Sequence, residues 1–335
     1  MTTGTATMVP GYTHLPGHHC GSTALRNLMT FHGRPITEEM AFGLGAGACF
    51  FYAPLPDQSP SRFINGRTAR LEENFFELTG AAIELSSTPD SEQSWRLARE
   101  AVDSGRPALL LTDLYYLDHY GTSAHFPGHA VVLAGYDDEV AYLSDTGFEE
   151  LQTTRLENLA KGRHAKHPAY PLDGHMFTAA PGVELGDPSE AAAPAIGRAA
   201  RLMLEPELGE FQGLPALRKL AAEAPGWPEE IEDWQWCARF SYQVIERRGT
   251  GGGNFRLLYS RFLEEAGYAE AELAATAAER WTAAAQAFHA ASERDDPDPG
   301  LWRAIGERLD EVTEAEGSLW TALEAEAREE AKAGA

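Results

Sequence analysis

The chain has 335 residues, of which 43% are hydrophobic, and its 51 acidic and 27 basic side chains give a formal net charge of −24. Such a charge repels nucleic acid and anionic membranes, which we exclude as main partners, and it would attract a cationic small molecule, although acidity also serves solubility alone. Three scattered cysteines, and no apolar stretch near the ~18 residues of a membrane span, predict a soluble, cytoplasmic protein.

The first half of the chain mixes helix and strand patterns. Helical patterns occupy four segments, two of which end at a Gly-Arg-Pro sequence. After the second Gly-Arg-Pro, short apolar runs are typical of buried strands. The predicted helices are 22–32, 37–44, 69–79 and 91–104, and the predicted strands are 108–112, 129–136 and 139–144.

A proline-rich region separates this half from a second half whose pattern is almost entirely helical. The prolines that indicate a boundary or linker are Pro168, Pro171, Pro181, Pro188 and Pro194. The candidate helices that follow are 195–205, 214–224, 229–247, 254–266, 269–292 and 300–331. We therefore predict a mixed α/β domain over 1–185 and a helical domain over 186–335.

The tetrad His18-His19-Cys20-Gly21 opens the first predicted helix and carries a thiol at its N-terminus. Unpaired backbone N–H groups and the helix dipole favour a thiolate there, so Cys20 is a candidate nucleophile. The alternative is a structural cysteine, because free cysteine is among the most buried residue types. For Cys49 and Cys237, which lie among apolar or aromatic residues, we favour the structural interpretation.

The last two predicted strands provide a candidate base and its partner. If they form a hairpin that turns at Asp137-Asp138, paired residues have numbers that sum to about 274–276. His129 then lies opposite a residue between Asp145 and Gly147, close enough for the Asp145 carboxylate to orient an imidazole. The histidines that compete with His129 as the base are His14, His18, His19, His119 and His125.

Two other kinds of site are less well supported by the sequence. The adjacent His18, His19 and Cys20 cannot all point one way, and no second ligand pair with zinc spacing follows, so we expect no metal site. The glycine run 249–253 lacks the Gly-Lys-Ser/Thr ending of a phosphate loop. It is either a flexible connection between helices or, next to Arg247 and Arg248, a backbone that approaches a ligand or the first domain.

The sequence from His18 to Leu28 and the stretch 38–47 resemble the N-terminal domain of the butirosin biosynthesis protein H family. The stretch from Glu246 to Arg256 resembles an uncharacterised domain, DUF4872, that commonly follows it. The resemblance implies an α+β, papain-like fold related to the C39 cysteine peptidases, followed by an all-helical C-terminal domain.

The resemblance also implies the roles of individual residues. Cys20 matches the nucleophile, His129 the base and Asp145 the orienting acid. The C39 relatives place a glutamine, an oxyanion donor, six residues before the cysteine, and here that position is His14. The backbone N–H of Cys20 is another candidate donor. Further candidate oxyanion or substrate contacts are His19, Gly251 and Gly252, although His18 and His19 could also do no more than shape the entrance.

The activity implied by the family is acyl transfer. An acyl group would move from a carrier-protein thioester to Cys20 and then to an amine-bearing small molecule, with no cofactor beyond the phosphopantetheine that the carrier protein brings. The basic stretch 155–167 is our candidate contact for that donor. A thioesterase or cysteine peptidase with the same three residues is the alternative, and a non-catalytic binding protein is a third possibility.

Overall fold

The structure is a computed structural model that describes residues 5–167, 170–179, 183 and 187–333. Its contacts separate two compact units. The first contains the described residues up to Ala41 and from Thr79 to Val183, and the second contains Phe42–Leu78 and the described residues from Asp187 onward. The second unit thus includes a segment that the predicted division at 185/186 assigns to the first domain. That boundary, like Pro168 and Pro181, lies outside the described residues.

The helices and strands of the described residues are as follows. The strands are β1 (Thr7–Met8), β2 (Ala48–Pro54), β3 (Arg62–Arg67), β4 (Ile83–Ser86), β5 (Ala108–Thr112), β6 (His129–Tyr136), β7 (Val140–Ser144), β8 (Gln152–Arg155), β9 (Lys166–His167), β10 (Tyr170–Pro171) and β11 (Met176–Ala179). The helices are α1 (Cys20–Phe31), α2 (Glu38–Leu44), α3 (Leu71–Thr79), α4 (Ser91–Asp103), α5 (Leu156–Arg163), α6 (Pro188–Leu204), α7 (Gly213–Glu223), α8 (Trp227–Glu230), α9 (Trp234–Glu246), α10 (Arg256–Glu265), α11 (Ala271–Ser292) and α12 (Pro299–Ala333).

The first unit is built on an antiparallel sheet with the order β4-β11-β5-β6-β7-β8, and β1 adds a short pairing to β6. Strand β5 is buried throughout, and β6 is buried up to its last residue, as their apolar runs predict. Helix α1 packs against β6 and β5, so its N-terminal residue is held by the centre of the sheet. This sheet and its helices confirm the α+β prediction.

The predicted hairpin is present and contains one irregularity. Strands β6 and β7 pair with Val132 opposite Ser144 and Leu133 opposite Leu143, which gives sums of 276. A register shift follows at Gly135, which lies opposite Tyr142. The pairing ends at Ser144, and therefore Asp145 is the first residue beyond the strand, at the end of the hairpin where β6 begins.

The second unit contains the end of α2, the β2–β3 hairpin, α3 up to Leu78, and helices α6 to α12 of the described C-terminal residues. The hairpin packs against α6, α7 and α9, and α11 packs against α9, α10 and α12. The helical prediction for the C-terminal part is confirmed over the residues described there, but the unit as a whole is not all-helical because the hairpin belongs to it. Among the helices described, none is long and apolar enough to cross a membrane.

Candidate active site

Cys20 is the first residue of α1 and is 8% exposed. The preceding His19 is the N-cap, in an extended conformation, and its Nδ1 accepts a hydrogen bond from the backbone N–H of Ser22 at 3.3 Å. A side chain that accepts from the first-turn N–H groups is what an N-cap supplies. The prediction that the thiol lies at a helix N-terminus is therefore confirmed.

A buried carboxylate holds the chain that enters this helix. Glu38 accepts hydrogen bonds from the backbone N–H groups of His18 and His19 at 2.9 and 2.7 Å, and from the hydroxyl of Thr23 at 3.1 Å. Burial alone would raise the pKa of Glu38, but the two backbone hydrogen bonds outweigh it and hold the pKa below its usual value. Glu38 is therefore an ionised anchor for the turn that presents Cys20.

His129 lies between Cys20 and Asp145. Its Nε2 is 3.0 Å from Asp145 Oδ1, and because an ionised carboxylate can only accept, Nε2 is the donor. His129 also hydrogen-bonds Cys20, which leaves Nδ1 as the ring nitrogen that faces the thiol. The expected pair of His129 and Asp145 is thus present, although His129 itself pairs with Thr112 of β5 rather than with a residue of β7.

The three groups shift one another's pKa. Burial would raise the pKa of Cys20, but the charge and hydrogen bonds of His19 and His129 hold it well below its usual value. Burial would lower the pKa of His129, but Asp145 and Cys20 raise it to about 10. Burial would raise the pKa of Asp145, and His129 and His119 nevertheless hold it far below its usual value. The arrangement therefore favours a thiolate, an imidazolium and a carboxylate at neutral pH.

Two residues that sequence reasoning missed complete the surroundings of Asp145. His119 Nε2 lies 2.8 Å from Asp145 Oδ2, and the hydroxyl of Tyr120 donates to Asp145 Oδ1 at 3.1 Å. The sequence included His119 only as one of several competing bases, and Tyr120 carried no signal of its own. Both lie in the long connection between β5 and β6, whose path the local pattern did not specify.

His14, the candidate oxyanion donor, is engaged at both ring nitrogens. Nε2 lies 2.7 Å from the carbonyl oxygen of Phe148, so Nε2 is the donor, and Nδ1 lies 2.7 Å from the hydroxyl of Ser144. An N–H of His14 would reach an oxyanion only if the bond to Phe148 broke. The oxyanion role of His14 therefore stays a prediction that this arrangement does not favour.

The other candidate histidines occupy different places. The side chain of His18 is 59% exposed at the entrance to α1, whereas His19 is buried and acts on the Cys20 thiol. His125 Nδ1 pairs with Asp113 Oδ2 at 2.6 Å, in the same connection as His119. Of these residues, His19 is the one whose effect on the Cys20 thiol the sequence underestimated. Its role as a substrate contact stays a prediction.

Gly251 and Gly252 lie in the second unit, in the turn between α9 and α10. Both have positive φ, as do the non-glycine Asn254 and Phe255 that follow. The Thr250 hydroxyl accepts from the Gly252 N–H at 3.0 Å, so the turn is closed by its own hydrogen bonds. The role of both glycines in substrate binding stays a prediction.

The remaining cysteines have thiols unlike that of Cys20. Burial raises the pKa of Cys49 to about 11, and burial also raises that of Cys237.

Within the described ranges, no cluster of three or more His, Cys, Asp or Glu side chains is placed to hold a metal ion. Two basic residues of the stretch 155–167 are neutralised by carboxylates, since Arg155 pairs with Asp118 and Lys166 with Asp173.

Two protein-family models match this chain, one in each half. Residues 19–146 match the family model described as butirosin biosynthesis protein H, N-terminal. Residues 157–323 match a model described as a domain of unknown function, DUF4872. No curated protein matches the chain. The first match spans all three residues of the Cys20, His129 and Asp145 arrangement.

Proposed function

We propose that this chain, which belongs to the butirosin biosynthesis protein H-like family, is an acyltransferase that moves an acyl group from a carrier-protein thioester onto an amine. The family indicates an enzyme related to butirosin biosynthesis, and the acyl-transfer chemistry is our inference from the site. The observation that carries it is a Cys20 thiol of lowered pKa in contact with a His129 that Asp145 orients. A nucleophile, a base that contacts it and a carboxylate that orients the base form an arrangement suited to nucleophilic acyl transfer.

In the first half-reaction, the Cys20 thiolate attacks the carbonyl carbon of the thioester. As the tetrahedral intermediate collapses, the bond from that carbon to the carrier sulfur breaks, and the proton of the His129 imidazolium goes to the departing thiolate. We assign the backbone N–H of Cys20 as an oxyanion donor, because a residue in the first turn of a helix has no acceptor four residues before it. The product is an acyl group on Cys20.

In the second half-reaction, the amine attacks the acyl carbon and neutral His129 takes its proton. The carbon–sulfur bond then breaks, the amide leaves and Cys20 returns as a thiolate. Attack by water in place of the amine would give a free acid. The alternative function is therefore a thioesterase or cysteine peptidase-like hydrolase with the same three residues.

The proposed partners follow from charge and from the donor's chemistry. The net charge of −24 favours a cationic amine as the acceptor. The chain would need no cofactor of its own, because phosphopantetheine comes with the carrier protein. Among the contacts of the described residues, Lys161 hydrogen-bonds Asn158 and pairs with no carboxylate, so we propose it as the cation that meets the donor's phosphate. A cytoplasmic location is part of the same proposal.

The test uses the purified full chain and an acyl thioester of N-acetylcysteamine as the donor. Intact-mass analysis should show one acyl group on wild-type protein, mapped to Cys20, and an added primary amine should be converted to its amide. Cys20→Ala should show neither event. Cys237→Ala, which removes a thiol of raised pKa, is the matched control and should behave as wild type.

Two results would change the conclusion. Full transfer by Cys20→Ala would remove the nucleophile from the mechanism and overturn the proposal. Free acid as the sole product of the wild type at every amine concentration would replace the transferase by the hydrolase.

A further inference from the structure

The carboxylate of Asp145 is shared by two imidazoles. His129 Nε2 is 3.0 Å from Oδ1, and His119 Nε2 is 2.8 Å from Oδ2. The two histidine side chains are nearly buried, with 5% and 6% of their surfaces exposed. One imidazole is enough for a carboxylate that acts as an orienting group. The hydrogen bond between His119 and Asp145 therefore needs a separate explanation.

Both ring nitrogens of His119 have a hydrogen-bond partner. The hydroxyl of Thr154 in β8 lies 3.2 Å from His119 Nδ1 and also accepts the backbone N–H of Asp118 at 3.3 Å. Since that hydroxyl receives one hydrogen bond and has its own proton to give, it can donate to Nδ1 while Nε2–H donates to Asp145. These hydrogen bonds then connect the backbone of Asp118, the Thr154 hydroxyl, His119 and the Asp145 carboxylate in one network.

We propose that His119 is a positioning residue for the candidate site, a role whose catalytic meaning rests on the proposed function of Cys20. By donating to Oδ2, His119 fixes the rotation of the Asp145 carboxylate, so that Oδ1 remains on His129 and His129 remains on Cys20. In a buried site the second oxygen would otherwise lack a donor, and turning of the carboxylate would weaken the bond to His129.

Several titratable groups face the candidate site. They are His19, the N-cap of α1, Cys20 on α1, His119 and Tyr120 in the connection between β5 and β6, His129 on β6, and Asp145 after β7. Of these, His119 reaches the thiol through Asp145 and His129. Its removal should therefore act on the thiol as a change of pH profile and not as a direct loss of a contact.

The experiment measures the second-order rate of Cys20 alkylation by iodoacetamide between pH 4 and pH 10, which requires no acyl substrate. In His119→Leu we expect the midpoint of the profile to move to higher pH, with a rate about tenfold lower on the acid side than in wild type. His119→Gln keeps one N–H donor and should recover part of the rate, and Thr154→Val should give a smaller shift of the same sign.

His125→Leu is the matched control, because it removes an imidazole–carboxylate pair from the same connection without touching Asp145. Its profile should superimpose on that of the wild type. A wild-type profile for His119→Leu would overturn the proposal, and so would an equal shift in His125→Leu, which would indicate a general effect of the connection. If His119→Leu does not fold, the comparison of His119→Gln and Thr154→Val with His125→Leu decides in the same way. Failure of wild-type acyl transfer would overturn the proposed function but leave these profiles unchanged.

Discussion

Both compact units contain a buried carboxylate that accepts from several side-chain donors, and the two sets of donors differ. In the first unit, Asp145 accepts from the imidazoles of His119 and His129 and from the phenol of Tyr120. In the second unit, Glu316 accepts from Nε of Arg256 at 2.7 Å and from the indole N–H groups of two tryptophans at 2.5 Å. Those tryptophans are Trp281 and Trp320.

The two networks differ in whether their donors can change protonation state. Guanidinium and indole groups keep their protons throughout the working pH range, so the charges around Glu316 are fixed. An imidazole, unlike those groups, is able to give up its proton to a reacting group, and the network around Asp145 ends at a thiol of lowered pKa. Burial of a paired charge is therefore a poor sign of function by itself, and the titratable character of the donors is a better one.

Substitution of Glu316 should have a larger effect than the two changes that follow, and it should act on the free energy of unfolding. Glu316→Gln removes the charge that compensates the fully buried Arg256 guanidinium, so the free energy of unfolding should fall by about 3–5 kcal/mol. Urea denaturation measures it. Glu314→Gln, at an exposed position of the same helix, is the control and should change the value by less than about 0.5 kcal/mol. Alkylation of Cys20 in the folded variant should keep its wild-type rate, and a large decrease would contradict a purely structural role.

The next effect concerns the reactivity of the three thiols. At pH 7 Cys20 is expected to be mostly thiolate, whereas Cys49, with a pKa of about 11, is almost entirely thiol. Alkylation of Cys20 should be at least about a hundredfold faster than that of Cys49 or Cys237, even after the lower nucleophilicity of a low-pKa thiolate is counted. Peptide mapping after timed labelling measures the rates. In denatured protein the three alkylation rates should converge. Similar rates in the folded protein would contradict a thiolate at Cys20.

The smallest effect concerns a third buried carboxylate, Glu38, whose donors are backbone N–H groups and hydroxyls. Its folded pKa lies below the usual 4.5, so its ionised form stabilises the fold above pH 4.5 and this stabilisation is lost as the pH falls through the folded pKa. Glu38→Gln should lower the free energy of unfolding by about 2 kcal/mol at pH 7. The difference from wild type should shrink at pH 3.5. A difference that is constant with pH would mean that packing, and not charge, explains the loss.

Local sequence patterns correctly predicted features that lie within one helix or one hairpin. A thiol at the start of α1 and the turn between β6 and β7 follow from short stretches of sequence, and together they brought His129 and Asp145 into one hypothesis. Strands such as β3 were not predicted, because Arg62, Asn65 and Arg67 interrupt its apolar residues. Its stability comes from pairing with β2 and packing in the second unit, which no local window contains.

Sequence patterns alone predicted Cys20 as a candidate nucleophile at a helix start, the hairpin that brings His129 near Asp145, and the helical character of the C-terminal part. Two features depend on contacts between distant parts of the chain. Residues 42–78 group with the helical unit, and His119 hydrogen-bonds Asp145. The physical reason is the same in both cases. Periodicity and turn chemistry act over a few residues, whereas the path of the connection from Asp113 to His129 depends on contacts made by the rest of the fold, among them the reach of His119 to Thr154 in β8.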